Sequence, residues 1–198
     1  MLRITNLDRT HTLQILSLGI KLFGEAEFKY IRDAIDTSIK CMSKVMLNDK
    51  NKVVGFALIC NDEESRLFNH LSGLPDAYEI AYLGVHPDYH GQGIGSKLLK
   101  ECVHAIFQQS TDNPPTIWLL VEPHNNIAYK LYRKNGFRIM KAIDDGPLFK
   151  GFIMGLTPLA YKHSLQPHLC EFIIPSHQSY MESPYINRHP LQALAEAV

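Results

Sequence analysis

The stretch that decides the fold runs from Tyr82 to Leu99 and reads YLGVHPDYHGQGIGSKLL. Its first residues are typical of a strand, and its last residues begin an amphipathic helix. Glycines stand at positions 91, 93 and 95 of the turn between them. The amides of residues 91–96 would open the helix with N–H groups that lack partners. With the positive end of the helix dipole behind it, such a turn binds phosphate.

The sequence of this turn does not match two other phosphate-binding motifs. A P-loop needs Gly-x4-Gly-Lys-Ser/Thr, but Ser96 stands where the second glycine is required. A dinucleotide fingerprint needs GxGxxG after the first strand of a parallel unit, whereas this chain has GxGxG far from its start. Both alternatives are therefore rejected.

The elements around this turn follow from hydrophobic periodicity. In the first helix, Leu13, Leu16, Ile20 and Phe23 recur at helical spacing, which predicts that they face the core. Residues 62–76 form a long polar connection. Antiparallel pairs combined with two strand-helix-strand crossovers predict an α/β (α+β) fold with a mixed sheet. The predicted elements are strands at 2–7, 44–48, 53–61, 77–85, 116–121, 137–143 and 149–156, with helices at 10–23, 28–39, 94–107 and 125–135, in the order β-α-α-β-β-β-α-β-α-β-β.

Composition limits the function classes. The chain has 198 residues and 45% hydrophobic content, enough for one domain of ordinary size with an appendage. Its 20 Lys and Arg balance its 20 Asp and Glu, so nucleic acid is not expected as a partner. Neither a signal peptide nor a membrane span is predicted, and no membrane partner is expected. Four scattered cysteines without a CxxC pair suit a reducing, cytoplasmic setting.

The last 41 residues differ from the rest. Residues 158–198 hold five of the eleven prolines and four of the ten histidines, so we predict a domain at 1–157 and a C-terminal extension with a weak helix at 191–197. The extension would pack on the core or on a partner, which leaves a homodimer open. Its histidines and Cys170 are too irregularly spaced to predict a metal site, and no metal is expected.

Two motifs carry a resemblance to a known family. The turn resembles the acyl-CoA-binding motif of the GNAT superfamily of N-acetyltransferases, Arg/Gln-x-x-Gly-x-Gly/Ala after a strand ending in Val-x-Pro. Residues 125–137, NNIAYKLYRKNGF, resemble the family's Asn-x-x-Ala-x-x-Leu-Tyr-x-x-x-Gly-Phe at every fixed position. The predicted element order also matches the family fold. One departure is His90, which occupies the usual Arg/Gln position.

The resemblance implies acetyl-CoA as cosubstrate and identifies residues that would bind it. In the family, the strand before the turn carries a bulge and parts from the next strand, and the pantetheine arm lies in the gap. Backbone groups of Leu83, Gly84 and Val85 would then pair with pantetheine and stabilise the thioester oxygen. Asn125 would contact the cofactor, or cap its helix, or do both. The turn residues implied in binding are His90, Gly91, Gln92, Gly93, Ile94, Gly95 and Ser96.

The resemblance also implies catalytic residues. Tyr132 matches the tyrosine that protonates the departing thiolate in many relatives, although a core tyrosine is the alternative. Glu79 is the candidate base, because it lies four residues before Leu83 and alternation places both on one strand face. On the same alternation, Tyr78 and Tyr82 face the opposite way and pack. Acidic residues of the loops that border the acceptor site in relatives would favour a cationic acceptor; they are Glu25, Glu27, Asp144 and Asp145.

These features predict an N-acetyltransferase that transfers an acetyl group from acetyl-CoA to a primary amine by direct attack in a ternary complex. The acceptor expected first is a small-molecule amine. The alternatives are a lysine or N-terminal amine of a protein and, in a different class, a CoA-binding regulatory module without catalysis. The acceptor depends on variable loops, so the sequence leaves it open.

Overall fold

A computed structural model describes residues 1–61, 77–109, 114–144 and 150–165. Within these ranges the chain forms seven strands and five α-helices. The strands are β1 Arg3–Asn6, β2 Lys44–Leu47, β3 Val53–Cys60, β4 Ala77–Val85, β5 Thr116–Val121, β6 Arg138–Asp144 and β7 Lys150–Leu156. The helices are α1 Thr12–Phe23, α2 Phe28–Thr37, α3 Ile94–Gln109, α4 Asn126–Lys134 and α5 Pro158–Leu165. Short 3-10 turns occupy Arg9–His11, Glu25–Glu27 and Pro87–Tyr89.

One mixed sheet contains all seven strands in the order β1-β2-β3-β4-β5-β7-β6. Neighbours are antiparallel except for β4 and β5, which are parallel because α3 carries the chain back between them. The predicted fold class and element order are confirmed. The expected connection at 62–76 and the expected helix at 191–197 lie outside the described residues.

Helices cover both faces of the sheet. The face that we call the α3 face packs against α3 and α4, with Leu98, Leu99 and Ile106 fully buried. The opposite face, here the α1 face, packs against α1 and α2 through residues such as Ile15 and Ile31. β4 and β5 lie near the middle of the sheet, and the glycine-rich turn follows β4.

The buried side of α1 differs from the prediction. Leu13 is 79% exposed and Phe23 is 40% exposed, whereas Ile15 is completely buried. The reason is Gly19, whose missing side chain lets α2 come close: a Cβ there would lie 2.9 Å from Ile31 Cδ1. The buried face therefore centres on the glycine, which a count of apolar residues does not detect.

Helix α5 lies in the segment predicted as an extension, and the sequence analysis missed it. Tyr161 stacks on Phe107 of α3, with ring centroids 4.2 Å apart and planes inclined by 10°. Proline at its first position fits a helix start, but its apolar residues do not form a clear stripe. Ala160 and Tyr161 therefore pack this helix on the domain.

Candidate active site

The central feature of the site is the point where β4 and β5 stop pairing. The two strands pair over three positions only, the last being Glu79 with Trp118. From Ile80 to Val85, β4 continues along β3 alone. The edge of β4 that carries Leu83, Gly84 and Val85 therefore has no partner strand on the β5 side. This is the opening that the family resemblance implied.

A bulge in β4 changes which side chains share a face. Leu58 of β3 pairs with Tyr82 and Ile59 pairs with Ile80, so Ala81 is the extra residue. Ala81 and Tyr82 consequently both pack on the α1 face, whereas Leu83 packs on the α3 face.

Two sequence-based expectations are corrected by this bulge. Glu79 lies between Tyr78 and Ile80, which both pack on the α3 face, so Glu79 is directed to the α1 face and does not share a face with Leu83. Tyr82 is on the side of Glu79 and not opposite to it. Tyr78 does face the other way, as predicted. Simple alternation failed because one extra residue inverts it.

Packing against α1 and β3 explains why residue 84 is a glycine, in addition to its predicted backbone role. A Cβ at this position would lie 2.8 Å from Leu22 Cδ1 of α1 and 3.0 Å from Phe56 Cε1. Any larger residue would force the side chains of Leu22 and Phe56 to shift. Glycine here keeps α1 close to the unpaired edge of β4.

The glycine-rich turn has the backbone that its sequence requires. Gly91 and Gly93 both have φ of 74°, the left-handed region that other residues rarely adopt. A Cβ at either position would have no neighbour within 4 Å in the described part of the chain. Among the described residues, the six N–H groups of residues 91–96 have no backbone or side-chain acceptor. The turn is thus built to receive an anion.

The side chains of His90 and Gln92 form hydrogen bonds that stabilise the turn. His90 Nε2 lies 2.8 Å from the carbonyl oxygen of Val85 and donates to it, so the ring ties the turn to the end of β4. That carbonyl is then occupied while His90 keeps this position. Gln92 Nε2 donates to the carbonyl of Asp88 at 3.4 Å. The polar groups of the turn that lack a partner among the described residues are its amides, and Ile94 is buried.

Two asparagines position α4 beside the turn. The Asn125 side-chain oxygen accepts from the amide of Ala128 at 3.1 Å, so Asn125 caps the helix. This capping role leaves the Asn125 NH2 group for a cofactor contact. Ser96 Oγ donates to Asn135 Oδ1 at 3.4 Å, which joins the start of α3 to the end of α4. Sequence reasoning missed Asn135, because it fills a variable position of the second motif.

Tyr132 is the buried tyrosine of α4. Only 7% of it is exposed, and its ring contacts Phe137 at a centroid distance of 5.9 Å. Burial raises its pKa to about 12. Among the described residues its hydroxyl has no hydrogen-bond partner. Its ring is therefore part of the core, as the alternative prediction had it, and its hydroxyl keeps its proton at neutral pH.

On the α1 face, Tyr82 connects β4 to the loop between α1 and α2. Its hydroxyl donates to Glu27 Oε2 at 2.7 Å, and its ring lies 5.3 Å from that of Phe23. Glu27 was predicted as part of an acidic rim, and Tyr82 was not predicted to be functional. The hydrogen bond joins residues 55 positions apart, so no local sequence pattern could have revealed it.

The other members of the acidic rim are less well placed. Glu25 is exposed. Asp144 forms an exposed ion pair with Lys150, with Oδ2 and Nζ 3.0 Å apart, which offsets its charge. Asp145 lies outside the described residues. Of the predicted rim, Glu27 is the carboxylate held against β4.

No metal site emerges from the described ranges, where no group of three or more His, Cys, Asp or Glu could hold an ion. His168, His177, His189 and Cys170 lie outside those ranges. In the same part of the chain, no helix is both long and apolar enough to cross a membrane.

Comparison with known proteins decides the family. A model of the acetyltransferase (GNAT) family matches residues 12–137. The chain belongs to this family. It is 36% identical over 66 residues to mycothiol acetyltransferase of Mycobacterium sp. (strain JLS), covering 33% of this chain and 22% of that protein. It is also 36% identical over 64 residues to N-alpha-acetyltransferase RimI of Mycobacterium tuberculosis, covering 32% of this chain and 37% of that protein.

Solved structures of this GNAT family share its fold. Arabidopsis thaliana Naa50, in complex with the bisubstrate analogue CoA-Ac-MVNAL, superposes with a TM-score of 0.62 at 23% identity, covering 79% of this chain and 98% of that one. Arabidopsis thaliana NAA60, in complex with acetyl-CoA, gives a TM-score of 0.62 at 18% identity, covering 79% and 99%. At these identities the likeness extends to the fold.

Proposed function

We propose that this GNAT family member transfers an acetyl group from acetyl-CoA to a primary amine, which attacks the thioester directly in a ternary complex. The observation that carries the proposal is the parting of β4 from β5 beside a glycine turn whose six N–H groups have no acceptor among the described residues. The gap suits an extended, amide-containing arm, and the turn suits its pyrophosphate. No covalent enzyme intermediate is needed.

The donor half of the reaction is assigned to the chain's backbone. Amides of residues 91–96 would bind the pyrophosphate, and the free edge of β4 at Leu83 and Gly84 would pair with the pantetheine amides. N–H groups held there would stabilise the negative charge that develops on the thioester oxygen. The unoccupied NH2 group of Asn125 would add a contact from α4.

The acceptor half is assigned to the α1 face. An alkylammonium with a pKa near 10.4 has no lone pair, so it must lose a proton before attack. Glu79 stands where β4 and β5 separate and is directed to this face, which supports it as the base, acting directly or through water. Glu27, held by Tyr82, would attract the ammonium before deprotonation.

Tyr132 is assigned to the leaving group. A hydroxyl with a pKa of about 12 is a weaker acid than a thiol of pKa about 8.5. We therefore propose that Tyr132 stabilises the thiolate by donating a hydrogen bond and does not transfer its proton completely. This refines the proton-donor role that the resemblance implied.

We propose a small-molecule amine as the first acceptor class. A protein N-terminal amine is the second candidate, because one 36% identical segment belongs to a protein named for N-alpha acetylation. A reducing, cytoplasmic setting is proposed as well, because the four cysteines are scattered along the sequence and form no CxxC pair.

The experiment is an acceptor screen monitored by release of free CoA thiol, with panels of small amines and of peptides with free N-termini. Turnover with either panel would support acetyl transfer and identify the acceptor class. Binding of acetyl-CoA, seen as a thermal shift, without turnover on any amine would favour the CoA-binding regulatory module. Absence of any shift would contradict the donor assignment itself.

A further inference from the structure

A polar groove with a different lining begins beside the end of β4, at His86. It runs between α1 and the turn that joins β2 to β3, and its volume is about 640 Å³. Its polar lining comprises Gln14, Ser17, Lys21, Lys50, Asn51, Lys52 and His86. No carboxylate is among the lining residues, although the chain as a whole carries equal numbers of acidic and basic residues.

The three lysines of this groove have no acidic partner in the described part of the chain. Lys21 Nζ instead lies 3.0 Å from His86 Nε2. Asp88, 3.7 Å from the other ring nitrogen of His86, is not part of the lining. Like charges gathered in one concave site repel each other, and an anion would relieve that repulsion.

The two amide side chains present donors as well. Gln14 Oε1 accepts from the amide of Val53 at 2.9 Å, and Asn51 Oδ1 accepts from Arg3 Nη2 at 3.1 Å. These bonds occupy both amide oxygens and leave their NH2 groups as donors. The polar wall of the groove is therefore dominated by hydrogen-bond donors.

The turn that carries two of the lysines is held by its own hydrogen bonds. Asn48 Oδ1 accepts from the amides of Lys50 and Lys52, each at 3.0 Å. Asn51 has a φ of 55°, which completes the turn. Leu18 and Val53 are buried beneath the groove, and Leu13, exposed against expectation, stands at its side. The backbone of the donors is thus fixed without a ligand.

We propose that this groove binds a small phosphate-bearing ligand, at a site distinct from the glycine turn. Lysine ammonium groups bind phosphate as point charges, and three lysines, Lys21, Lys50 and Lys52, line this groove. The apolar floor would take a neutral part of the ligand. The source is a free phosphorylated metabolite or the 3′-phosphate of CoA itself.

The test is a calorimetric titration of inorganic pyrophosphate into the full chain at constant ionic strength. The chain is first saturated with dephospho-CoA, so that the glycine turn is occupied. We expect one saturable site, weakened about tenfold or more in Lys50→Gln/Lys52→Gln, because two charge-assisted contacts are lost. The matched control Lys29→Gln/Lys162→Gln removes the same charge from exposed positions elsewhere and should leave binding unchanged.

A second arm distinguishes the two sources. If the groove takes the 3′-phosphate of CoA, saturation with CoA blocks pyrophosphate, and the preference for CoA over dephospho-CoA disappears in Lys50→Gln/Lys52→Gln. If the ligand is separate, pyrophosphate binds equally to both loaded forms. Absence of a saturable site, or equal weakening in the control, would overturn the proposal.

Failure of this proposal and failure of the proposed function are separable. If dephospho-CoA does not bind, the donor assignment fails. The titration without any cofactor, compared between the two double variants, still decides whether the groove binds phosphate.

Discussion

Individual side chains divide the proposed chemistry between the two faces of the sheet. Tyr132 is buried on the α3 face, while Glu27 and Tyr82 meet on the α1 face. The first was predictable from its motif, because a short helical pattern fixes its place. The Tyr82–Glu27 pair was not, because it depends on how a loop 55 residues away folds back onto β4.

Replacing Tyr132 by Phe tests the leaving-group role. We expect kcat to fall about 10- to 100-fold with little change in KM, since a hydrogen bond to a charged group contributes about 1.5–3 kcal/mol. Thiol release at saturating amine measures it. Tyr129→Phe, on the same helix with its ring toward Phe152, is the control and should retain full turnover. An unchanged kcat in Tyr132→Phe would remove the residue from the mechanism.

Replacing Tyr82 by Phe removes the hydrogen bond to Glu27 and keeps the ring beside Phe23. We expect KM for the amine to rise severalfold, because one hydrogen bond contributes about 1 kcal/mol, while kcat changes little. Steady-state kinetics with varied amine measures both constants. Tyr78→Phe, on the opposite face, serves as control. A fall in kcat at constant KM would instead indicate that Tyr82 acts on the reacting atoms.

At the scale of elements, the sequence predicted every strand and the four helices of the described domain, because hydrophobic periods are local. The family resemblance implied a bulge in β4, but the sequence did not place it at Ala81, because its position depends on how β4 registers against β3. It also missed α5, whose burial comes from one aromatic contact and not from a stripe along the helix.

The glycine turn gives a prediction about backbone conformation. Gly93→Ala places a side chain at a φ of 74°, which costs about 1–2 kcal/mol and adds a methyl group to the turn. We expect lower stability in urea denaturation and a smaller thermal shift with acetyl-CoA. Gly95→Ala is the comparison for stability, since its nearest neighbour, Leu131 Cδ2, would lie at 3.4 Å. Equal destabilisation of both variants would contradict this explanation.

Helix α5 gives a prediction about packing. Tyr161→Ala removes the ring stacked on Phe107, and we expect the free energy of unfolding to fall by about 1–3 kcal/mol. Leu159→Ala on the same helix alters a side chain in a residue that is 65% exposed and should change it by less than about 0.5 kcal/mol. Chemical denaturation of both variants measures the difference. If the two values agree, α5 is not anchored through Tyr161.

For the whole molecule, burial makes stability sensitive to alkaline pH. Cys102 and Tyr132 each have a pKa of about 12 in the folded chain, against ordinary values of 9.0 and 10.0. Both are neutral when protonated, so the stability they contribute is complete below pH 9 and is lost as pH rises toward 12. Between its ordinary pKa and its folded pKa, each group is ionised in the unfolded chain and protonated in the folded one. In that range each group lowers the free energy of unfolding by about 1.4 kcal/mol per pH unit.

Denaturation curves recorded from about pH 8 to 11 would measure this loss. Stability of the native sequence should begin to fall near pH 9, when the unfolded thiol ionises. In Cys102→Ala the fall should begin about one unit higher, because only Tyr132 remains of the pair. An identical pH dependence of the two proteins would show that the thiol contributes nothing.

The bulge in β4 has a consequence for how the amine specificity of such a protein can evolve. Donor contacts are assigned to the backbone of Leu83 and Gly84, whereas acceptor contacts depend on the side chains of Glu79 and of Tyr82, which holds Glu27. Point substitutions at Glu79 and Tyr82 can therefore alter which amine is accepted, because the backbone groups that bind the donor do not depend on these side chains. Within β4, the donor-binding part would stay constant, while the acceptor-binding part could change.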